Sequence, residues 1–207
     1  ARLDTIKDNM QIREELLKIL YGVWDHLKNH GSYGAENLAL SWVGSVPGKR
    51  ESRRIVGDYI LTEHDLVNPG EHHDAVAYGG WPIDVHNPDG FYAKNKWLDY
   101  THLGGPYTIP YRCYYSKNIS NLFMAGRNIS ATHVAHGSTR LIRTCAVGGQ
   151  AVGTAAVLCI KHSKSPRYLS KDHINELQQL LLKHDCHIPG IKNTDGMDLA
   201  RSAEVTA

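Results

Sequence analysis

Between Thr5 and His30 apolar residues return at near-helical spacing, with Ile6, Met10, Leu16, Leu17, Leu20, Trp24 and Leu27 separated by Lys, Glu and Asp. That pattern predicts an amphipathic helix, ended by Gly31 and Gly34. Leu38 to Val43 reads as a strand, Pro47-Gly48 as a turn, and Ile55-Val56 and Tyr59-Ile60-Leu61 as short extended runs. Thr62 is placed to cap a helical turn through Asp65. From Asn68 to Gly105 glycine, proline, histidine and aromatics replace the periodic runs, so this stretch is expected to be loop-rich, with a short strand at Ala75–Tyr78. Tyr107 to Tyr115 alternates as a strand does, and Asn118 marks a turn. Asn121 to Ala125 is short and wholly apolar after its first residue, as strands buried on both faces of a parallel sheet are.

Arg143 to Ile160 predicts a second long helix, opening near Thr144 and Cys145. It is built from small residues, Ala146, Gly148, Gly149, Ala151, Gly153, Ala155 and Ala156. Each glycine costs a helix about 0.8–1 kcal/mol against alanine, so close packing on a sheet or a flat ligand is expected to compensate. Ser170 is expected to cap a third helix carrying Ile174, Leu177, Leu180 and Leu181. The polar tail after Gly190 is expected to fray.

Composition narrows the classes. With 207 residues, 42% apolar and 21% charged, the chain has the make-up of a globular protein. A formal charge of +2 gives no overall pull toward nucleic acid. The basic run from Lys49 to Arg54 is interrupted by Glu51 and followed by apolar residues, which reads as a solvated or ion-paired segment. The low-charge run Thr144–Ile160 falls short of the ~20 apolar residues of a membrane span, so it reads as a buried core helix. Cys113, Cys145, Cys159 and Cys186 form no CxxC pair and are read as free thiols. No signal-peptide pattern follows Ala1.

The stretch from Asn121 to Cys159 carries the chemistry. It predicts a buried strand, a glycine at its carboxyl end, a loop and a small-residue helix, and cofactors sit at strand carboxyl ends in open α/β sheets. Its residues are Ala125-Gly126-Arg127, then Ser130-Ala131-Thr132-His133, Gly137-Ser138 with Arg140, and Gly149-Gln150-Ala151-Val152-Gly153-Thr154-Ala155. In that order they resemble the last strand and helix of the FAD-binding domain in a bacterial family of FAD-dependent oxidoreductases, within the glutathione-reductase-like and fumarate-reductase-like fold. Arg50 to Asp58, Gly79 to His86 and Tyr107 to Tyr111 resemble further motifs of that family. The likeness runs from about Trp42 to Pro189.

The resemblance implies an α/β fold, mixed α+β in the fragment, from the C-terminal part of a two-domain, Rossmann-like flavoprotein. Residues 1–117 would belong to the substrate-side domain and 118–162 to the last strand and helix of the FAD-binding domain. Residues 163–190 would be a helical segment and 191–207 a flexible tail. No GxGxxG is present to hold the adenine half of FAD. The chain is therefore expected to be a truncated piece whose partner is the missing N-terminal half of the same protein, and to bind FAD weakly or not at all alone.

The resemblance also implies site residues. Ala125, Gly126, Arg127 and Asn128 would follow the ribityl and pyrophosphate, with Arg127 on phosphate. Arg143, Thr144, Cys145, Gly149, Gln150 and Ala151 would meet the pyrimidine edge, where a helix amino end favours negative charge. His133 and His136 are candidates for taking a proton as hydride leaves a small-molecule substrate. Arg53, Asp84, His86, Ser138 and Arg140 are candidate substrate contacts. No metal is expected on this reading. Two rival readings remain: a metal site or metal-dependent hydrolase built on His64, Asp65, His72, His73 and Asp74, and a carbohydrate- or protein-binding module using Trp81, Phe91, Tyr92, Trp97 and Tyr100.

Overall fold

The computed structural model describes residues 3–50, 52–96 and 98–204; Glu51 of the basic run and Trp97 of the aromatic group lie outside them. The chain divides into two compact units, Ala1–Ser52 with Asn87–Trp97, and Arg53–His86 with Leu98–Ala207.

In the first unit helix α1 (Asn9–Asp25) continues into a π-helical turn, His26–His30, and the chain extends at Gly31. The helix begins four residues later than its apolar pattern. The Asp4 carboxylate accepts the amides of Ile6 and Lys7 and its carbonyl accepts the Asp8 amide, a capped turn that leads into the helix. No residue of α1 is buried. The expected strand at 38–43 has no strand pairing, and Trp42 is 80% exposed. An apolar run becomes a strand only where a neighbour takes its backbone groups, and here none does among the described residues.

The second unit holds the main core. Helix α2 (Glu63–Val67) starts as predicted at Thr62, whose amide and hydroxyl both donate to the Asp65 carboxylate at 2.7 and 2.8 Å. Strand β1 (Ala75–Gly79) pairs antiparallel with β4 (Tyr107–Pro110), and β2 (Ile83–His86) pairs antiparallel with β3 (Leu98–Thr101). The stretch expected to be mostly loop thus carries two strands, β2 and β3, besides the β1 expected there; both are only four residues long, too short to show periodicity.

The parallel sheet expected around 121–125 is absent from the described residues. Phe123 makes one antiparallel bridge with Tyr115, and the chain from Ile55 to Leu61 joins residues 128–132 through single bonds and one parallel bridge, Leu61 to Ala131. The apolar run is buried at Met124 by side chains, beneath a cluster of fully buried tyrosines, Tyr107, Tyr111, Tyr114 and Tyr115. Burial and strand pairing are separate properties: within the run only Met124 is buried, and the pairing is a single bridge.

Helix α3 (His133–Thr139) occupies what reads as loop in the sequence; Thr132 caps it by accepting the Ala135 amide. Helix α4 (Ile142–His162) is longer at both ends than expected. By length and composition alone it would pass for a membrane span, yet it packs against β1, α5 (Pro166–Asp172) and α6 (Ile174–Lys183). Ser170 caps nothing: it lies inside α5, which starts at Ser165 with Pro166 in its first turn, and His173 precedes α6. Proline at a helix start explains the earlier opening. The tail is tied to α6 as far as Thr194, whose amide donates to Gln179, so fraying does not begin at Gly190.

Candidate functional site

Gly148 and the buried Tyr114 bring α4 close to the core. A Cβ on Gly148 would lie 2.6 Å from the Tyr114 ring, so the helix backbone rests directly on that buried side chain. Close packing was the expected compensation for glycine in this helix, and at Gly148 the flat partner is Tyr114. Gly149 and Gly153 have nothing within 4 Å of a Cβ and face open space.

The amino end of α4 opens on a cleft of ≈ 590 Å³, lined by Leu141, Ile142, Arg143, Thr144 and Val147 on one side and by Tyr78, Gly79, Gly80 and Trp81 on the other. This volume falls within the ~300–1,000 Å³ typical of small-molecule sites. Leu141, at the cap position, offers no side-chain acceptor. The first intrahelical bond recorded there runs from the Cys145 amide to the Leu141 carbonyl. The amides of Ile142, Arg143 and Thr144 are therefore left to face the cleft, with the positive end of a six-turn dipole behind them.

Trp81 is held by a relay of hydroxyls. Tyr107 Oη lies 2.6 Å from Ser138 Oγ, which donates to the Trp81 carbonyl. Burial pushes the Tyr107 hydroxyl up to about 12, so it stays a proton donor. Ser138 is fully buried, and its hydroxyl is used within the protein. Beside it, Gly137 packs on the backbone of β2: a Cβ there would lie 2.8 Å from the Asp84 carbonyl oxygen. Asp84 pairs with Arg140 at 3.0 Å, and its other oxygen lies 3.2 Å from His86 Nε2 without hydrogen-bond alignment. Arg140 also donates to the Asp84 carbonyl. Asp84, Arg140 and Ser138 thus lock α3 to β2, and His86 stands half-exposed at the edge of that lock.

Of the other expected site residues, Arg143 and Thr144 line the cleft, the first exposed and the second buried. Cys145 Sγ points at the Thr139 carbonyl, 3.5 Å away. Gly149, Gln150 and Ala151 lie two turns further along, where amides are bonded within the helix. Ala151 is in the core and the Gln150 amide donates to the His184 carbonyl. The donors that α4 offers are therefore those of its first turn, which includes the expected Arg143 and Thr144 and leaves out Gly149, Gln150 and Ala151.

Ala125 to Asn128 form a turn that is not part of the cleft's lining. Gly126 has φ +89°, a conformation that favours glycine, and open space beside its Cα. Asn128 Oδ1, Ser130 Oγ and Thr139 Oγ1 are buried without a hydrogen-bond partner inside the protein. Buried polar atoms are normally satisfied, so each of these three is an exception within the packed layer. Arg53 is exposed. His133 is exposed at the start of α3, and His136 is buried one turn on.

The rival ligand group is dispersed into structural roles. Asp74 is fully buried and takes Arg112 in a fork at 2.8 and 3.0 Å, with the guanidinium lying over Tyr59. Asp65 accepts from Tyr59 and Thr62; burial works against its ionisation, but those bonds outweigh it and its pKa is lowered. Burial and the bond to Asp65 hold the Tyr59 hydroxyl at about 12. His72 sits against Thr108 and burial lowers its pKa despite the nearby carboxylates. His73 points to solvent and His64 toward Asn68. The Asp74–Arg112 fork was not foreseen from sequence, because its partners lie 38 positions apart. Among the aromatics, Trp81 lines the cleft, Phe91 and Tyr92 line a separate groove with α1, and Tyr100 packs on His102.

A family model described as FAD dependent oxidoreductase matches residues 2–181 of the chain. Neither a curated protein nor a solved structure matches it.

Proposed function

Because the chain belongs to the FAD dependent oxidoreductase family, we propose that the cleft at the amino end of α4 receives the ring end of FAD, and that the protein transfers electrons between a small organic substrate and that cofactor. The observation that carries this reading is the uncapped first turn of α4 facing the Gly79-Gly80 corner across open space. A bound flavin supplies two-electron oxidation or reduction that side chains lack. Negative charge gathering on the ring's pyrimidine edge is stabilised by donors aimed there in advance. The amides of Ile142, Arg143 and Thr144 provide such donors, and Arg143 adds a full positive charge at the rim. On the opposite wall Gly79 is packed against Tyr107, whose ring fills the space a Cβ would take, and Gly80 lies against Pro106.

The Gly126 turn, with the orphaned Asn128 and Ser130 oxygens, would take the hydroxylated and phosphorylated part of the same molecule. His133, exposed at the head of α3, is assigned the proton that moves with the electrons; His136 sits behind it in the packed layer. We place the adenine end on a strand–GxGxxG–helix unit outside these residues. The outward face of α4, where Ile142, Val157 and Ile160 are exposed, is the surface such a unit would cover.

Titrating FAD while following tryptophan fluorescence tests the ring's position. Trp81 lines the cleft, so quenching should saturate in the native chain and disappear in Trp81→Phe, while Trp42→Phe retains it. Quenching that survives Trp81→Phe unchanged would put the ring elsewhere.

A further inference from the structure

At the far end of α4 from the cleft, three side chains converge that no part of the flavin reading uses. His162, in the last turn of α4, lies with its Nε2 2.8 Å from Glu176 Oε2. His173, at the residue before α6, places its Nδ1 3.3 Å from the same oxygen. Their ligating atoms all lie within 4.8 Å of one another, and among the described residues this is the one group of three with that property. We propose that His162, His173 and Glu176 form a binding site for a divalent transition-metal ion of the zinc type.

The chemistry of the set suits such an ion. Two imidazoles and one carboxylate are the three-ligand complement of open zinc sites, with water in the fourth position. Ligands at about 2.0–2.2 Å from a tetrahedral ion stand ~3.3–3.5 Å apart, close to the spacing already present. Lys161 bonds Glu176 Oε1, at 2.8 Å, and so leaves Oε2 turned toward the two rings. The side chains of all three ligands are 23–31% exposed, which leaves room for a water ligand and an entry path.

One rearrangement is required. The rings now stack at 3.8 Å with 16° between their planes. Parallel rings aim their nitrogen lone pairs side by side, so one ring must turn about its Cβ–Cγ bond to converge on an ion. Both rings are partly exposed. Bound metal would then clasp the carboxyl end of α4 to the head of α6, two elements that otherwise meet through Leu158, Leu177 and Leu181 in the core.

Isothermal titration of the purified chain with Zn²⁺ tests this, with Mg²⁺ as the hard-ion control. We expect one saturable Zn²⁺ site, a rise in melting temperature on addition of Zn²⁺, and no comparable effect of Mg²⁺. Glu176→Gln, which keeps the side chain's shape, should weaken Zn²⁺ binding at least tenfold, and His173→Gln should do the same if the first variant folds poorly. Absence of a saturable Zn²⁺ site, or Zn²⁺ binding unchanged in both variants, would overturn the proposal; the latter would assign the ion to others among the thirteen histidines.

Discussion

Adjacent glycines in α4 have opposite roles. Gly148 lies against Tyr114, while Gly149 faces open space. Gly148→Ala should therefore destabilise the fold by about 1–3 kcal/mol, the usual cost of overpacking. Gly149→Ala should stabilise it by about 0.8–1 kcal/mol through helix propensity. Urea unfolding of the two variants checks both signs. Asp74 is the residue on which the buried polar network turns: it accepts the Arg112 fork and the Arg112 amide with no exposure of its own. Removing one partner of a buried pair leaves the other uncompensated, so Arg112→Ala, which strands the fully buried Asp74 carboxylate, should cost about 3–5 kcal/mol in the same assay. Asp74→Ala leaves Arg112, which is partly exposed and stacked on Tyr59, and should be the milder change.

At the scale of elements, α3 depends on a single side-chain cap, Thr132 accepting the Ala135 amide at 3.3 Å. Thr132→Ala should cost about 0.5–2 kcal/mol of stability, read as a lower urea midpoint with unchanged slope. How far the sequence reveals such elements depends on how local their causes are. The Thr62–Asp65 cap and the long helix at 142–162 are set by neighbours in the chain, and strand β1 shows a short apolar run of its own; all three were legible. Helix α3 was not, because His133 to Thr139 lacks apolar periodicity and is held by packing of Gly137 on β2. The run 121–125 misled for the opposite reason: Phe123 packs on Tyr111 and bridges Tyr115, which belong to a different segment, and no parallel neighbour flanks it among the described residues. At the site, Arg143 and Thr144 were legible as the start of a helix, but Tyr78 to Trp81 as the facing wall were not. That wall exists because β1 and β4 pair, and pairing across 30 residues leaves no local mark.

Across the whole molecule the charged groups favour neutral over acid conditions. Arg167 forks onto Asp58 at 2.6 and 2.7 Å and lowers its pKa, as the partners of Asp65 and Glu176 lower theirs. A carboxylate with a lowered folded pKa contributes fully above its unfolded value, near 4, and loses that contribution as pH falls below it. His72, lowered by burial, behaves alike in its own range: its contribution is present above about 6.5 and is lost as pH falls through the folded value. Melting temperature should therefore decline gently below about pH 6.5 and steeply below about pH 4, and His72→Gln should abolish the gentle phase. The family assignment and the cleft meet in one claim, that the first turn of α4 and the Gly79-Gly80 corner hold the flavin ring. Amide chemical shifts of the ¹⁵N-labelled chain, followed during titration with FAD, address it directly even if binding is weak. The account predicts saturable changes confined mainly to residues 78–81 and 142–147, with smaller ones at 126–130. Changes absent from both walls of the cleft, or gathered at a different surface, would contradict it.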